Sequence, residues 1–120
     1  MKIAITASRP ELTSPVDERF GRAVCLVVYD TDTGEHAVVD NAANLNAAQG
    51  AGLQSARAVV EAGAQAVLTG HVGPKAYSAL SAGGVTVYTG VGGTVAEAIE
   101  AFDSGRLQPS DSADVDGHWM

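Results

Sequence analysis

Cysteine is almost absent from this chain. Its 120 residues include one, Cys25, which excludes an internal disulfide and a multi-cysteine metal site. Basic residues are also scarce, with seven Lys and Arg against fourteen Asp and Glu and a formal net charge of −7. A nucleic-acid partner is disfavoured, because such binding rests on neutralising phosphates. No apolar run approaches the ~18 residues of a membrane span, so no membrane partner is expected. The opening "MKIAITASRP" is one charged residue and then a short strand rather than a secretory signal. A cytoplasmic location is the expectation. Enzyme signatures are missing too. There is no G-x-S-x-G elbow and no Walker A sequence. "GVGGT" (90–94) matches a dinucleotide fingerprint poorly. The first strand carries Thr6 and no acid. Glu11, Asp17, Glu18 and Asp40 form no recognisable metal-holding set. A non-enzymatic protein is expected.

What is present is a periodic α/β pattern long enough for one domain with a real core. Strands are expected at 2–7, 23–31 and 35–40. The turn "DTG" (32–34) joins the second and third as a hairpin. A helix over 49–62 places Leu53, Ala56 and Val60 on one face, with Gly63 after its end. A buried strand follows at 65–69. A helix runs over 74–82 with Pro74 at its first position, and a last strand over 85–89. Thr94 and Glu97 fit a capping box opening helix 94–103, whose apolar face is Val95, Ala98, Ile99 and Phe102. Beyond Gly105 the pattern dies. The domain is set at 1–107 and a flexible acidic tail at 108–120. Strands alternating with helices argue a mostly parallel sheet. Right-handed crossovers allow five strands ordered 3-2-1-4-5 with strand 2 reversed, a ribonuclease-H-like α/β arrangement with three helices.

That order sends the loops at 8–22, 41–49, 70–73 and 90–93 to one sheet edge, the edge where open α/β sheets bind ligands. The stretch "LTGHVGPKAYSAL" (68–80) brings glycines, a histidine, a cation and a helix start to one strand end. Helix starts offer free N–H groups and the positive dipole end, and glycine lets a backbone approach a ligand. An anion cradle is expected. Arg9, Arg19, Arg22 and Lys75 supply charge. Gly21, Gly70, His71, Gly73, Gly90, Gly92 and Gly93 supply backbone or polar donors. Phe20 and Val72 form apolar walls that exclude water. Each feature has a plainer reading. The glycines permit tight turns, Arg19 pairs with Asp17 or Glu18, Cys25 is a small core residue, and Asn41, Asn44 and Asn46 form turns.

The blocks "DERFGRAVCLVVYDTDTGE" (17–35) and "GAGLQSARAVVEAGAQAVLTGHVGPKAYSALSAGGVTVY" (50–88), with Asn41 between them and "TVAEAI" (94–99) after them, resemble the dinitrogenase iron–molybdenum cofactor biosynthesis family. The resemblance spans roughly residues 1–105. It implies a ribonuclease-H-like carrier of metal–sulfur clusters. A small acidic single-domain chain is similar to members that hold an anionic molybdenum–copper sulfide cluster without covalent protein ligands. Relatives that carry the nitrogenase cofactor often have His-Phe-Gly where this chain has Arg19-Phe20-Gly21. A permanent cation there suits a cluster held by charge and hydrogen bonds. Two further roles are implied: iron–molybdenum cofactor carriage, and an interaction module working with partner ATPases in cell-division regulation.

Overall fold

The computed structural model describes residues 1–41 and 50–111. Its strands are β1 (Lys2–Ala7), β2 (Cys25–Asp30), β3 (His36–Asp40), β4 (Ala66–Leu68) and β5 (Thr86–Tyr88). Its helices are α1 (Ala51–Glu61), α2 (Pro74–Ala82) and α3 (Val95–Asp103), with a 3-10 turn at Phe20–Arg22. The sheet runs β3-β2-β1-β4-β5. β2 is antiparallel to β1 and β3, and β4 is parallel to β1 and β5. This is the expected five-stranded mixed sheet with three helices.

Side chains alternate across the strands and supply two cores. Ile3, Ile5, Cys25, Val27, Ala66 and Leu68 pack with Val95, Ala98 and Ile99 of α3. Ala4, Leu26, Val67 and Val87 pack with Ala56 and Val59 of α1 and Ala76 and Leu80 of α2. The capping box forms as expected. Thr94 Oγ1 accepts the Glu97 N–H at 3.1 Å, and Glu97 Oε1 accepts the Thr94 N–H at 2.9 Å. Tyr88 and Phe102 meet edge to face at 5.4 Å, a geometry that contributes ~0.5–1.5 kcal/mol beyond burial.

Two expectations change. The buried face of α1 is Ala51, Ser55, Ala56 and Val59, whereas Val60 is 39% exposed and Leu53 only partly buried. The small residues face inward because α1 packs closely on α2 and the 3-10 turn, and Asn41 reaches across to Ser55 Oγ at 3.0 Å. At the other end, Ser110 holds the chain against the sheet. Its N–H donates to the Val87 carbonyl at 2.7 Å, its carbonyl accepts the Tyr77 hydroxyl at 2.9 Å, and its hydroxyl meets Thr89. The ordered chain thus extends past residue 107. The rest of the expected tail, 112–120, and Asn44 and Asn46 lie outside the described residues.

Candidate functional site

At the carboxyl ends of β1, β4 and β5 the structure opens a cleft of about 550 Å³. It is lined by Pro15, Val16, Glu18, Gly70, His71, Gly90, Val91, Gly92, Gly93, Thr94 and Glu97. The loop after β1 builds one wall by folding back over the sheet. Asp17 N–H donates to the Thr6 carbonyl at 2.8 Å, and Val16 N–H to the Gly93 carbonyl at 2.9 Å. The same loop then runs beside residues 70–72. His71 N–H donates to the Glu18 carbonyl at 2.7 Å, and Phe20 N–H to the His71 carbonyl at 3.1 Å. This short parallel pairing sets Arg19 beside His71.

Five of the expected site residues come together here: Gly70, His71, Gly90, Gly92 and Gly93. The other eight are distributed elsewhere. Arg9 is ion-paired with Glu11 at 3.2 Å. Arg19 and Arg22 are exposed, and neither they nor any other Lys or Arg lines the cleft among the described residues. Asp17 Oδ1 accepts the Arg19 backbone N–H at 3.1 Å, and the guanidinium itself has no ion pair among the described residues. Gly21 and Gly73 are buried. Phe20 and Val72 are fully buried in the core beneath α1 and α2. Lys75 lines a separate apolar groove of about 530 Å³ with Leu53, Pro74, Ser78 and Ala79. The string Gly70–Lys75 therefore divides, with its first two residues on the cleft and its last on the groove.

The backbone donors are more specific than their positions in the sequence suggested. The start of α3 is already satisfied: Val95 N–H donates to the Ser14 carbonyl and Ala96 N–H to the Leu12 carbonyl, both at 2.9 Å. Gly90 N–H donates to the Gly70 carbonyl at 2.8 Å. Gly92 and Gly93 follow with N–H groups that meet no acceptor among the described residues. Gly93 holds a φ of 76°, a conformation that favours glycine. Gly70 has a different reason to be glycine. A Cβ there would lie 2.5 Å from the Glu18 carbonyl oxygen and 2.8 Å from its Cα. Its missing side chain admits the protein's own backbone.

Two carboxyl groups, Glu18 and Glu97, sit on the cleft. The Thr94 N–H and hydroxyl hold the Glu97 carboxyl below its ordinary pKa. Cys25 stands apart from the lining. It is 4% exposed, with its Sγ 3.6 Å from the Ala7 carbonyl oxygen. Burial first, and then Asp40, Asp17 and Glu11, push its thiol pKa up. No group of three or more His, Cys, Asp or Glu that could hold a metal ion occurs among the described residues. Nor is any described helix long and apolar enough to cross a membrane.

Residues 1–105 match the model of the dinitrogenase iron-molybdenum cofactor family. The chain belongs to that family. It is similar to the orange protein of Desulfovibrio gigas, solved in its apo form, with 39% identity, coverage of 95% and 96% of the two chains, and a TM-score of 0.93. It is also similar to a putative NifB protein from Thermotoga, with 37% identity, coverage of 97% and 98%, and a TM-score of 0.83. An uncharacterized protein of Methanocaldococcus jannaschii is 32% identical over 111 residues, 90% of each chain. Family membership and the likeness to the orange protein support a cofactor-binding or carrier role.

The cleft residues missed from sequence are Pro15, Val16, Glu18, Val91, Thr94 and Glu97. Thr94 and Glu97 were legible as a capping box but not as a cleft wall. Pro15, Val16 and Glu18 reach the site only because their loop folds back, and no local pattern encodes that contact.

Proposed function

We propose that this family member binds and carries an anionic metal–sulfur cluster, of the molybdenum–copper sulfide kind, non-covalently at the carboxyl-edge cleft. The observation that carries this reading is the pair of unengaged N–H groups of Gly92 and Gly93 on the cleft. An anionic sulfide surface accepts such donors, and in a partly desolvated site charge-assisted hydrogen bonds are stronger than neutral ones. The 39% identity to the orange protein supports a cofactor as the guest. Arg19 and His71, paired along the margin, add charge and a polar tip. Gly70 shapes the wall by admitting residue 18. Glu18 and Glu97 oppose a highly charged anion, so the cleft favours a cluster of low net charge. Cys25, buried and with a raised pKa, takes no part in this binding.

The test is reconstitution of purified protein with thiomolybdate and a copper(I) salt, followed by visible absorption, metal analysis and amide NMR. The expected result is a coloured, stoichiometric complex whose amide shifts concentrate at Gly92, Gly93 and His71. Shifts centred instead on Leu53 and Ser78 would move the site to the groove beside α2. A colourless protein free of metal after reconstitution would overturn the reading.

A further inference from the structure

α1 turns its smaller residues inward and leaves larger apolar ones outside. Its buried face is Ala51, Ser55, Ala56 and Val59, while Leu53 is only partly buried and Val60 is 39% exposed. Leu53, Arg57 and Val60 recur at i, i+4 and i+7, so they share one outward face of the helix. That face runs beside α2. Leu53 forms the apolar groove of about 530 Å³ with Pro74, Lys75, Ser78 and Ala79. Two turns later Val60 reaches Gly83, where a Cβ would lie 2.6 Å from Val60 Cγ2. The two helices therefore run side by side in the same direction. Between them an apolar seam extends about 10 Å from Leu53 to Val60.

Charge sets this seam apart. α1 and α2 carry two basic residues, Arg57 and Lys75, and one acidic residue, Glu61, whereas the rest of the chain carries five basic and thirteen acidic residues. Arg57 and Lys75 are exposed, one on each helix, and neither has an ion pair among the described residues. Glu61 lies at the far end of α1 from the groove. At physiological salt a charge is felt over ~8 Å, well inside the 24 Å of the molecule's shortest extent. A guest on the seam meets local positive charge rather than the net −7 of the chain.

We propose that the seam between α1 and α2 docks an acidic amphipathic helix of a partner protein. A helix laid in an apolar groove presents side chains at i, i+3 or i+4, and i+7, and that spacing matches the two turns between Leu53 and Val60. Ala79 and Gly83 keep the floor of the seam low on the α2 side. Acids bordering the partner's apolar stripe meet Lys75 and Arg57, and a basic helix there would meet like charge. A second copy docking through the same face is disfavoured for the same reason. A two-fold contact would bring Arg57 and Lys75 of both copies together. The groove and the cleft share no lining residue, so this inference is independent of the cluster reading. The contact is only two turns long and belongs to the weak, transient class.

The experiment is amide NMR and fluorescence anisotropy on the intact chain with a synthetic, hydrocarbon-stapled peptide of about 15 residues, the length at which isolated helices begin to hold. The peptide carries leucine at i, i+4, i+7 and i+11 with glutamate beside them, and a second peptide has lysine for every glutamate. The expected result is saturable binding of the glutamate peptide, with amide shifts concentrated at Leu53, Arg57, Val60, Ser78 and Gly83. The lysine peptide should bind at least about tenfold more weakly. Lys75→Glu and Arg57→Glu should each weaken the glutamate peptide about tenfold, since each replaces a rim attraction by a repulsion. Val60→Ser should weaken it with the fold intact by circular dichroism. Arg106→Glu, the same charge change just after α3 on the opposite face of the sheet, should leave it unchanged. Equal binding of the two peptides, shifts centred on the cleft, or no saturation at millimolar peptide would overturn the proposal. So would evidence of another occupant without peptide: concentration-dependent shifts at Leu53 and Val60, which mean a second copy, or cross-peaks from Trp119 to Val60, which mean the chain's own C-terminus.

Discussion

The hydroxyls of Thr6 and Thr69 lie 2.9 Å apart, both fully buried, where β1 and β4 reach the carboxyl edge. Thr6 Oγ1 is also 2.8 Å from the Asp17 carbonyl oxygen. A carbonyl only accepts, so the Thr6 hydrogen goes to Asp17 and Thr69 donates to Thr6. This chain of bonds fastens the loop that walls the cleft. Thr6→Val should cost ~1–3 kcal/mol, since it leaves a buried carbonyl and a hydroxyl without their partner. Thr69→Val should cost less. The double variant should be more stable than the sum of the two losses implies, as read by denaturant unfolding.

Gly70 and Gly92 both line the cleft and should respond oppositely to a methyl group. At Gly70 the methyl collides with the Glu18 backbone, and at Gly92 it meets nothing within 4 Å. Gly70→Ala should lower the thermal midpoint by several degrees and shift the amide signals of Glu18 to His71. Gly92→Ala should melt close to the parent. A similar small change in both would show that residue 18 does not press on residue 70.

Arg19 and Glu18 are adjacent in sequence but opposite in their expected effect on an anionic guest. Arg19→Ala should weaken cluster retention by about tenfold, since loss of a charge-assisted bond costs roughly 1.5–3 kcal/mol. Arg19→Lys should fall between, because it keeps the charge and loses the planar fork. Glu18→Gln should tighten retention by removing a repelling carboxylate. Arg57→Ala, exposed on α1, serves as the control. The measurement is the rate of loss of visible absorption at matched ionic strength.

Glu97 predicts a component of acid sensitivity. Its carboxyl is held below the ordinary value of 4.5, first by the Thr94 backbone N–H and then by the Thr94 hydroxyl. A lowered folded pKa means that the stabilisation is full above the unfolded value and is lost as pH falls through the folded one. The difference in thermal midpoint between the parent and Glu97→Gln should therefore be constant near neutral pH and shrink from about pH 4.5 downward. A difference independent of pH would mean that the carboxylate charge does not contribute to the cap.

The sequence by itself determined the alternation of strands and helices, the hairpin, the capping box and the sheet order. These rest on local periodicity, turn chemistry and the few topologies that chirality permits. It also sent the loops after β4 and β5 to the carboxyl edge, where Gly70, His71, Gly90, Gly92 and Gly93 line the cleft and Val72, Gly73 and Lys75, singled out with them, do not. Other features were decided only by tertiary structure. Whether Gly70 serves a ligand or the chain itself depends on residue 18 arriving against it. Whether the start of α3 is free to bind an anion depends on Leu12 and Ser14 taking its donors. Arg9 is taken up by Glu11, Lys75 is turned to the groove, and Phe20 and Val72 are drawn into the core. Ser110 is pinned to β5 although no apolar pattern surrounds it. Periodicity reports which face of an element is buried, but not which distant loop folds over its end. The cleft is made by such loops, so its position was legible from the sequence and its donors were not.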